Sequence, residues 1–309
     1  MWNTAKTTDN MAGDRTMEKQ YLALDIGGSA IKYGVVYGGF HIERRGNVPT
    51  PRDSMESLLT AMRHIYGETG MDTRGVGISF TATMDAATGF CFGGSLEHFT
   101  KGINLTEVLR QAFPVPVAVE NDGNCAALAE ATYGSLKDCG DAVMLVLGTG
   151  VGGGLIHDHK ILRGKSSCSG EFSYVITDYS SGRNFAAFNG SRALTEPLAA
   201  IKGETGMDGR RFFEYAGLGD ADALRILDEF TRHLAVQIYN IQAIYAPERF
   251  AIGGGISQNP LLMQCLERNL DALYAKNTTL PRAAVSLGTF MNDANLIGAV
   301  CYLQSVHGI

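Results

Sequence analysis

Two aspartates stand where a carboxylate could do chemistry. Asp25 closes the apolar run YLALD and is followed by Gly27, Gly28 and Ser29. Asp122 follows Asn121 at the end of VPVAVEN and leads into the helical run GNCAALAEATYG. A carboxylate beside a glycine turn can orient Mg²⁺ or its waters next to a phosphate. A carboxylate at a strand end beside a cleft can take the proton of a hydroxyl nucleophile. Each has a plainer reading as well. Asp25 suits a solvated turn, and Asn and Asp are preferred helix N-caps.

Residues 143–156, VMLVLGTGVGGGLI, add a glycine-rich turn in which Gly148, Gly150 and Gly153 match the G-x-G-x-x-G spacing. A dinucleotide loop needs a helix directly after its glycines, to receive the pyrophosphate. Here the glycines lead into LIHDHKIL, which is strand-like and turn-like. Glu171 lies about twenty residues on, where a ribose-binding acid is expected, but carboxylates are common enough for coincidence. No G-x-x-x-x-G-K-[ST] occurs, which excludes a Walker A loop. A glycine turn between strands can still gather backbone N–H groups around a phosphate, with the Thr149 hydroxyl as a further donor. A bulged hairpin that needs glycine at positive φ explains the same residues equally well. A third cluster, Gly253, Gly254 and Gly255, closes RFAIGGG ahead of a helix, where backbone could pack against a nucleotide base or sugar.

The elements that must position these residues alternate between strand and helix. YLALDIG and IKYGVVY predict a hairpin, and SMESLLTAMRHIYGET predicts a helix with Ser54 as N-cap. RGVGISF, VPVAVEN, DAVMLVL and RFAIGGG are strand-like. ADALRILDEFTRHLAVQIYNIQAIYA, PLLMQCLERNLDALYA and NDANLIGAVCYLQSV have helical periodicity. LALDIGGSAIKYGVV and VMLVLGTGVGGGLIHDHKIL share one plan of strand, glycine turn and strand. That repetition predicts an internal duplication, with two related α/β domains facing each other over a cleft. The expected limits are a flexible extension at 1–19, a smaller domain at 20–122 completed by a C-terminal helix at 292–309, and a larger domain at 123–291. Met17 is a candidate natural start, and Trp2 falls in the extension.

Composition bounds the function. The 309 residues carry a formal charge of −6, so nothing draws the chain generally to nucleic acid or anionic membrane. No apolar stretch approaches the roughly 18 residues of a membrane span, and the first twenty residues lack a signal-peptide core. A soluble, cytoplasmic protein is expected. The six cysteines form no C-x-x-C pair and read as buried reduced thiols. His157, Asp158 and His159 fall at an expected hairpin tip, where they read as solvated rather than metal-binding.

Taken in order, LALDIGGSAIKYGVV, VENDGNCAALAE, LGTGVGGGLI, SGEFSY and FAIGGGIS resemble the motifs of the ROK family. That family comprises bacterial sugar kinases and sugar-responsive repressors on the actin/hexokinase/Hsp70 fold. The resemblance runs from about residue 20 to the C-terminus and implies two RNase H-like, actin-like ATPase domains across a cleft. By position, Asp25 with Gly27, Gly28, Ser29 and Lys32 resembles the first phosphate motif, with Asp25 serving Mg²⁺ through water or phosphate. Thr149 and Gly150 resemble the second phosphate motif, and Gly253, Gly254 and Gly255 the adenosine motif. Asp122 falls on the catalytic base, Asn121 on a sugar contact, and Glu171 on the sugar-binding glutamate. The implied reaction is ATP-dependent phosphorylation of a sugar hydroxyl, foremost the 6-hydroxyl, in a homodimer.

The departures fall on the sugar side. GEFSY places Ser173 where the family has glycine and Tyr174 where it has a zinc-linked histidine, and the cysteine-rich zinc motif is missing. No zinc site is expected; Tyr174 either reaches sugar through its hydroxyl or is a buried structural tyrosine. FTATMD replaces the usual Pro-Gly near Thr81, and FGGSLEHF places Ser95 roughly where an asparagine often contacts sugar, with Gly94 beside it as a further candidate sugar contact. The GEFSY form without a zinc motif resembles the β-glucoside kinase branch, which phosphorylates the glucosyl unit of disaccharides. N-acetylmannosamine or another hexose is the alternative acceptor, and a non-catalytic sugar or ATP sensor the alternative of another class. A repressor would carry an N-terminal helix-turn-helix, where this sequence has about twenty polar residues.

Overall fold

Every residue of YLALDI is buried, so that strand must be covered on both faces. The structure, a computed structural model that describes residues 19–165 and 167–309, shows what covers it. Apart from Lys19, the expected extension with Trp2 and Met17 lies outside the described residues.

The first half contains β1 (Tyr21–Ile26), β2 (Ala30–Tyr37), β3 (His41–Pro49), α1 (Met55–Ile65), β4 (Val76–Phe80), β5 (Ala82–Met84) and β6 (Cys91–Gly94). It continues through α2 (Glu97–Thr100), α3 (Leu105–Arg110), β7 (Val117–Asn121) and α4 (Asp122–Tyr133). The second half contains β8 (Ala142–Leu147), β9 (Val151–His157), β10 (Lys160–Ile161), α5 (Phe185–Asn189), α6 (Arg192–Lys202) and α7 (Gly209–Gly217). It ends with α8 (Ala221–Tyr245), β11 (Arg249–Gly253), α9 (Pro260–Lys276), β12 (Val285–Leu287) and α10 (Ala294–His307).

The strands form two five-stranded sheets, ordered β3-β2-β1-β4-β7 and β10-β9-β8-β11-β12. In each, three antiparallel strands are followed by two that run parallel to the first. The two segments that look alike in sequence are the β1–β2 and β8–β9 hairpins, so the repetition extends to whole sheets.

One face of β1, with Leu22, Leu24 and Ile26, packs on Leu58, Met62 and Leu109 of the outer helices. Its other face, with Tyr21 and Ala23, packs under Leu296, Val300 and Leu303 of α10. The second sheet repeats this. Val143, Leu145 and Leu147 face an outer core that includes Leu194, Leu227 and Leu266. Ala142, Met144 and Ala251 face Ala126 and Ala127 of α4 and Ile297 of α10. Thus α4 and α10 form a middle layer that both sheets share. Small residues make the layer tight: a Cβ on Gly298 would lie 1.7 Å from the Cys125 carbonyl oxygen, and one on Gly77 2.4 Å from that of Ala299.

Ser54 caps α1 as expected, accepting a hydrogen bond from the Ser57 amide at 3.2 Å. Strand β3 is not apparent from its residues because, as a sheet edge, it alternates between exposed and half-buried positions. Cys168 corrects the expectation for the thiols: it is exposed, while the other five cysteines are buried and none of the six forms a disulfide. His157 and His159 do sit at a hairpin tip, where His157 Nδ1 lies 2.7 Å from Asp141 Oδ1. Among the described residues no helix is long and apolar enough to cross a membrane.

Gly298→Ala should force α10 off α4 and destabilise the protein by about 1–3 kcal/mol. Gly217→Ala, whose Cβ would meet nothing within 4 Å, should change little. Denaturant unfolding of both variants checks this.

Candidate active site

Parallel pairing aligns the carboxyl ends of β1, β4 and β7: Asp25 pairs with Ser79, and Phe80 with Asn121. Both aspartates therefore emerge on one edge of the sheet, where open α/β sheets bind ligands. Asp25 is buried; its Oδ1 accepts hydrogen bonds from Ser79 Oγ at 2.8 Å and from Asn295 Nδ2 at 3.0 Å.

Asn121 caps α4. Its Oδ1 accepts from the Asn124 amide and its Nδ2 donates to the Ala82 carbonyl, each at 3.0 Å. These bonds fix the turn that aims Asp122, whose Oδ1 accepts from the Gly123 amide at 2.9 Å. Desolvation raises the Asp122 pKa to about 6, helped by the negative charge of Asp25 and, less, of Glu171; the Gly123 amide and the Thr81 hydroxyl oppose it. Burial also raises the pKa of Glu171, against a hydrogen bond from the Thr83 hydroxyl. A carboxylate poised near neutral pH is suited to act as a general base.

Asn121, Asp122 and Glu171 line a cleft of about 840 Å³ between the carboxyl edges of the two sheets, and Asp25 lies buried behind its lining residue Asn295. Gly27, Gly28 and Ser29 form one wall, and Gly148, Thr149 and Gly150 the opposite one. Asn121, Asp122 and Glu171 lie between them, with Gly94, Ser95 and Tyr174 also lining the cleft. An adjoining cavity of about 740 Å³ shares Gly148 and Thr149 and extends past Gly255, Ile256, Arg210 and Phe213. The second glycine turn is thus the junction of two chambers.

That turn joins β8 to the antiparallel β9, with the Gly148 amide donating to Gly150 O at 3.0 Å. No helix follows, so it is not a dinucleotide loop, and Glu171 belongs to the aspartate cleft.

Other expected residues are placed differently. Lys32 does not line the cleft; from β2 its Nζ stands 3.9 Å from Asp25 Oδ2. Gly253 and Gly254 pack against β8, Gly253 only against the flexible end of Met144. A Cβ on Gly253 would meet Met144 at 2.4 Å, and Gly254, at φ 92°, would meet the Leu147 carbonyl at 2.3 Å. Only Gly255 of the three opens on the cavity.

The sequence matches the ROK family over residues 21–306. The chain belongs to the ROK family. It is 30% identical over 296 residues to a β-glucoside kinase of Listeria monocytogenes, covering 90% of this chain and 95% of that one. Among solved structures, a ROK family protein from Streptococcus pneumoniae in complex with sucrose superposes with a TM-score of 0.83 at 26% identity, covering 94% of this chain and 99% of that one. A ROK glucokinase from Streptomyces griseus, in complex with glucose and AMPPNP, gives 0.79 at 25% identity, covering 91% and 97%.

Within the ROK pattern, the departures now have physical accounts. Ser173 Oγ accepts from the Val151 amide at 3.0 Å and donates to its carbonyl at 3.1 Å, pinning the second turn to the Glu171 segment. Tyr174 is not buried: 64% of it is exposed at the cleft rim. Where the family has its zinc motif, the chain doubles back instead. Ile176 bridges to Asn184, the Thr177 amide donates to Arg183 O at 2.9 Å, and Asp178 accepts from Ser180 and Ser181. Among the described residues no three His, Cys, Asp or Glu side chains are placed to hold a metal. Segment 177–194 contains α5 and the start of α6. Sequence reasoning also missed Ser79, Thr83 and Asn295, because ordinary polar residues carry no signal until a fold gives them a carboxylate to hold.

The Asp122 pKa sets a pH signature. The folded carboxyl keeps its proton up to about pH 6 against an unperturbed 3.8, so this group's contribution to stability falls as pH rises between those values. Asp122→Asn should therefore melt higher than the native protein above pH 6, and the difference should shrink toward pH 4. Thermal melts across that range test it; equal melting at pH 7.5 would contradict the assigned burial.

Proposed function

We propose that this ROK kinase transfers the γ-phosphoryl group of ATP to the 6-hydroxyl of a glucosyl unit, preferentially one carried in a β-glucoside. The observation that carries this is the position of Asp122, a base poised near pH 6 between two glycine turns and beside Glu171. The adenosine end of ATP would occupy the chamber past Gly255, its phosphates reaching the shared turn at Gly148 and Thr149. Glu171 would hold ring hydroxyls. The primary hydroxyl, projecting furthest from a pyranose ring, would then reach Asp122.

In that arrangement Asp122 accepts the hydroxyl proton as the oxygen attacks phosphorus, a contribution typically of about 10²–10⁴-fold. Backbone N–H groups of the two turns face the charge that develops on the phosphoryl oxygens. Asp25 fits Mg²⁺, which prefers oxygen ligands, keeps several waters and shares itself with phosphates. When bound, that ion would neutralise phosphate charge. Closure of the two halves over the sugar would exclude water and limit ATP hydrolysis.

Support for a β-glucoside acceptor comes from the exposed Tyr174 ring beside Glu171, a flat apolar face on which a second sugar could rest. The Listeria relative is a β-glucoside kinase; the Streptococcus relative holds sucrose, whose glucosyl unit is α-linked, so it supports room for a second sugar and not the linkage. We also place the protein in the cytoplasm, where ATP is supplied.

The test is ADP release with Mg²⁺-ATP over glucose, mannose, N-acetylglucosamine, N-acetylmannosamine, cellobiose and gentiobiose. Turnover should be fastest with the two β-linked disaccharides and fall about 10²-fold or more in Asp122→Asn. Faster turnover of free glucose or an N-acetylated sugar would overturn the β-glucoside assignment.

A further inference from the structure

Arg163, on the segment after β10, has no part in the chemistry above, yet it reaches across the molecule. Its Nη2 lies 2.5 Å from Glu120 Oε2 at the end of β7, and the Glu120 side chain is completely buried. The guanidinium also stands over the ring of Tyr302 on α10, 5.1 Å from its centroid. Glu120 in turn supports the catalytic turn from below. Its Oε1 accepts from the Asn121 amide at 2.8 Å and from Asn124 Nδ2 at 3.1 Å. The segment that carries Arg163 also carries Glu171. Leu162 is held to β9 by its amide, which donates to Leu155 O at 2.8 Å, and Ser169 N donates back to Arg163 O at 3.2 Å.

We infer that Arg163 is a positioning residue: through Glu120 it registers the Asn121–Asp122 turn of the first half against the Glu171 segment of the second. The inference rests on the reading of Asp122 as base and Glu171 as acceptor ligand. The physics is that of a half-buried ion pair, fully buried on the Glu120 side, whose geometry matters more than its energy. Such a pair contributes little net stability over an apolar replacement, but it penalises every arrangement that separates its members. An error near 1 Å between base and acceptor can cost about 10²-fold in rate.

The experiment compares Arg163→Met, Arg163→Lys and the double variant Glu120→Gln/Arg163→Met with the native protein. The double variant leaves no unpaired buried charge, so it separates lost positioning from lost folding. Steady-state kinetics with cellobiose should show kcat lowered and sugar KM raised, by about tenfold to a hundredfold together, in Arg163→Met and in the double variant. The KM for ATP should stay unchanged, and Arg163→Lys should recover part of the loss. Hydrogen exchange of the sugar-free proteins supplies a readout independent of turnover: amides 121–124 should exchange faster in Arg163→Met than in the native protein. Native-like kinetics and exchange in the double variant would overturn the inference, as would a rise of ATP KM in step with sugar KM. If the native protein turns over no sugar, the kinase reading falls, and exchange at 121–124 still decides the Arg163 tie.

Discussion

The site depends on one close crossing, where α10 passes α4 with Gly298 against the Cys125 carbonyl. Both helices begin at the cleft. Asn295, in the first turn of α10, holds Asp25, and α4 opens with Asp122. The crossing therefore sets the separation of the two carboxylates. A wider one would carry Asn295 away from Asp25 and let water between the acids. Their mutual repulsion, added to desolvation, gives Asp122 its raised pKa. The middle layer thus serves the electrostatics of the site as well as the packing of both sheets.

The acids of the cleft and the middle layer divide by how fully they are compensated. Glu130 accepts from the Ser135 amide and hydroxyl and from the Phe290 amide, tying the end of α4 to the turn before α10. Glu120 has Arg163 and two further donors. Asp25 has Ser79, Asn295 and a distant Lys32. Asp122 has a single backbone amide and Thr81, with two acids nearby. It is the least satisfied of the four and the one poised to exchange a proton, as expected where strain is kept for function.

Much of this was legible in the sequence, and the reasons for the gaps are physical. The strand ends at Asp25 and Asn121, the second glycine turn and the long helices show in local pattern, because each is set by neighbours within a few residues. The duplication showed as two similar hairpins, and the sheets extend it. Contacts made by topology did not show. Ser79 and Asn295 hold Asp25 from 54 and 270 residues away, and Arg163 meets Glu120 only because two halves fold face to face. The close approach of Gly254 to the Leu147 carbonyl did not show either, since a glycine needed for packing is written the same way as one needed for a ligand. Lys32 stands opposite Asp25 because the two are partners in the hairpin.

The most direct measurement is a crystal structure of the protein with a β-linked disaccharide and a non-hydrolysable ATP analogue. The account predicts the 6-hydroxyl oxygen within about 2.6–3.2 Å of the Asp122 carboxylate. It also predicts the γ-phosphate between the Gly27–Gly28 and Gly148–Gly150 turns, with Glu171 on the ring hydroxyls. A sugar seated with another group over Asp122, or a nucleotide whose phosphates avoid the second turn, would contradict it.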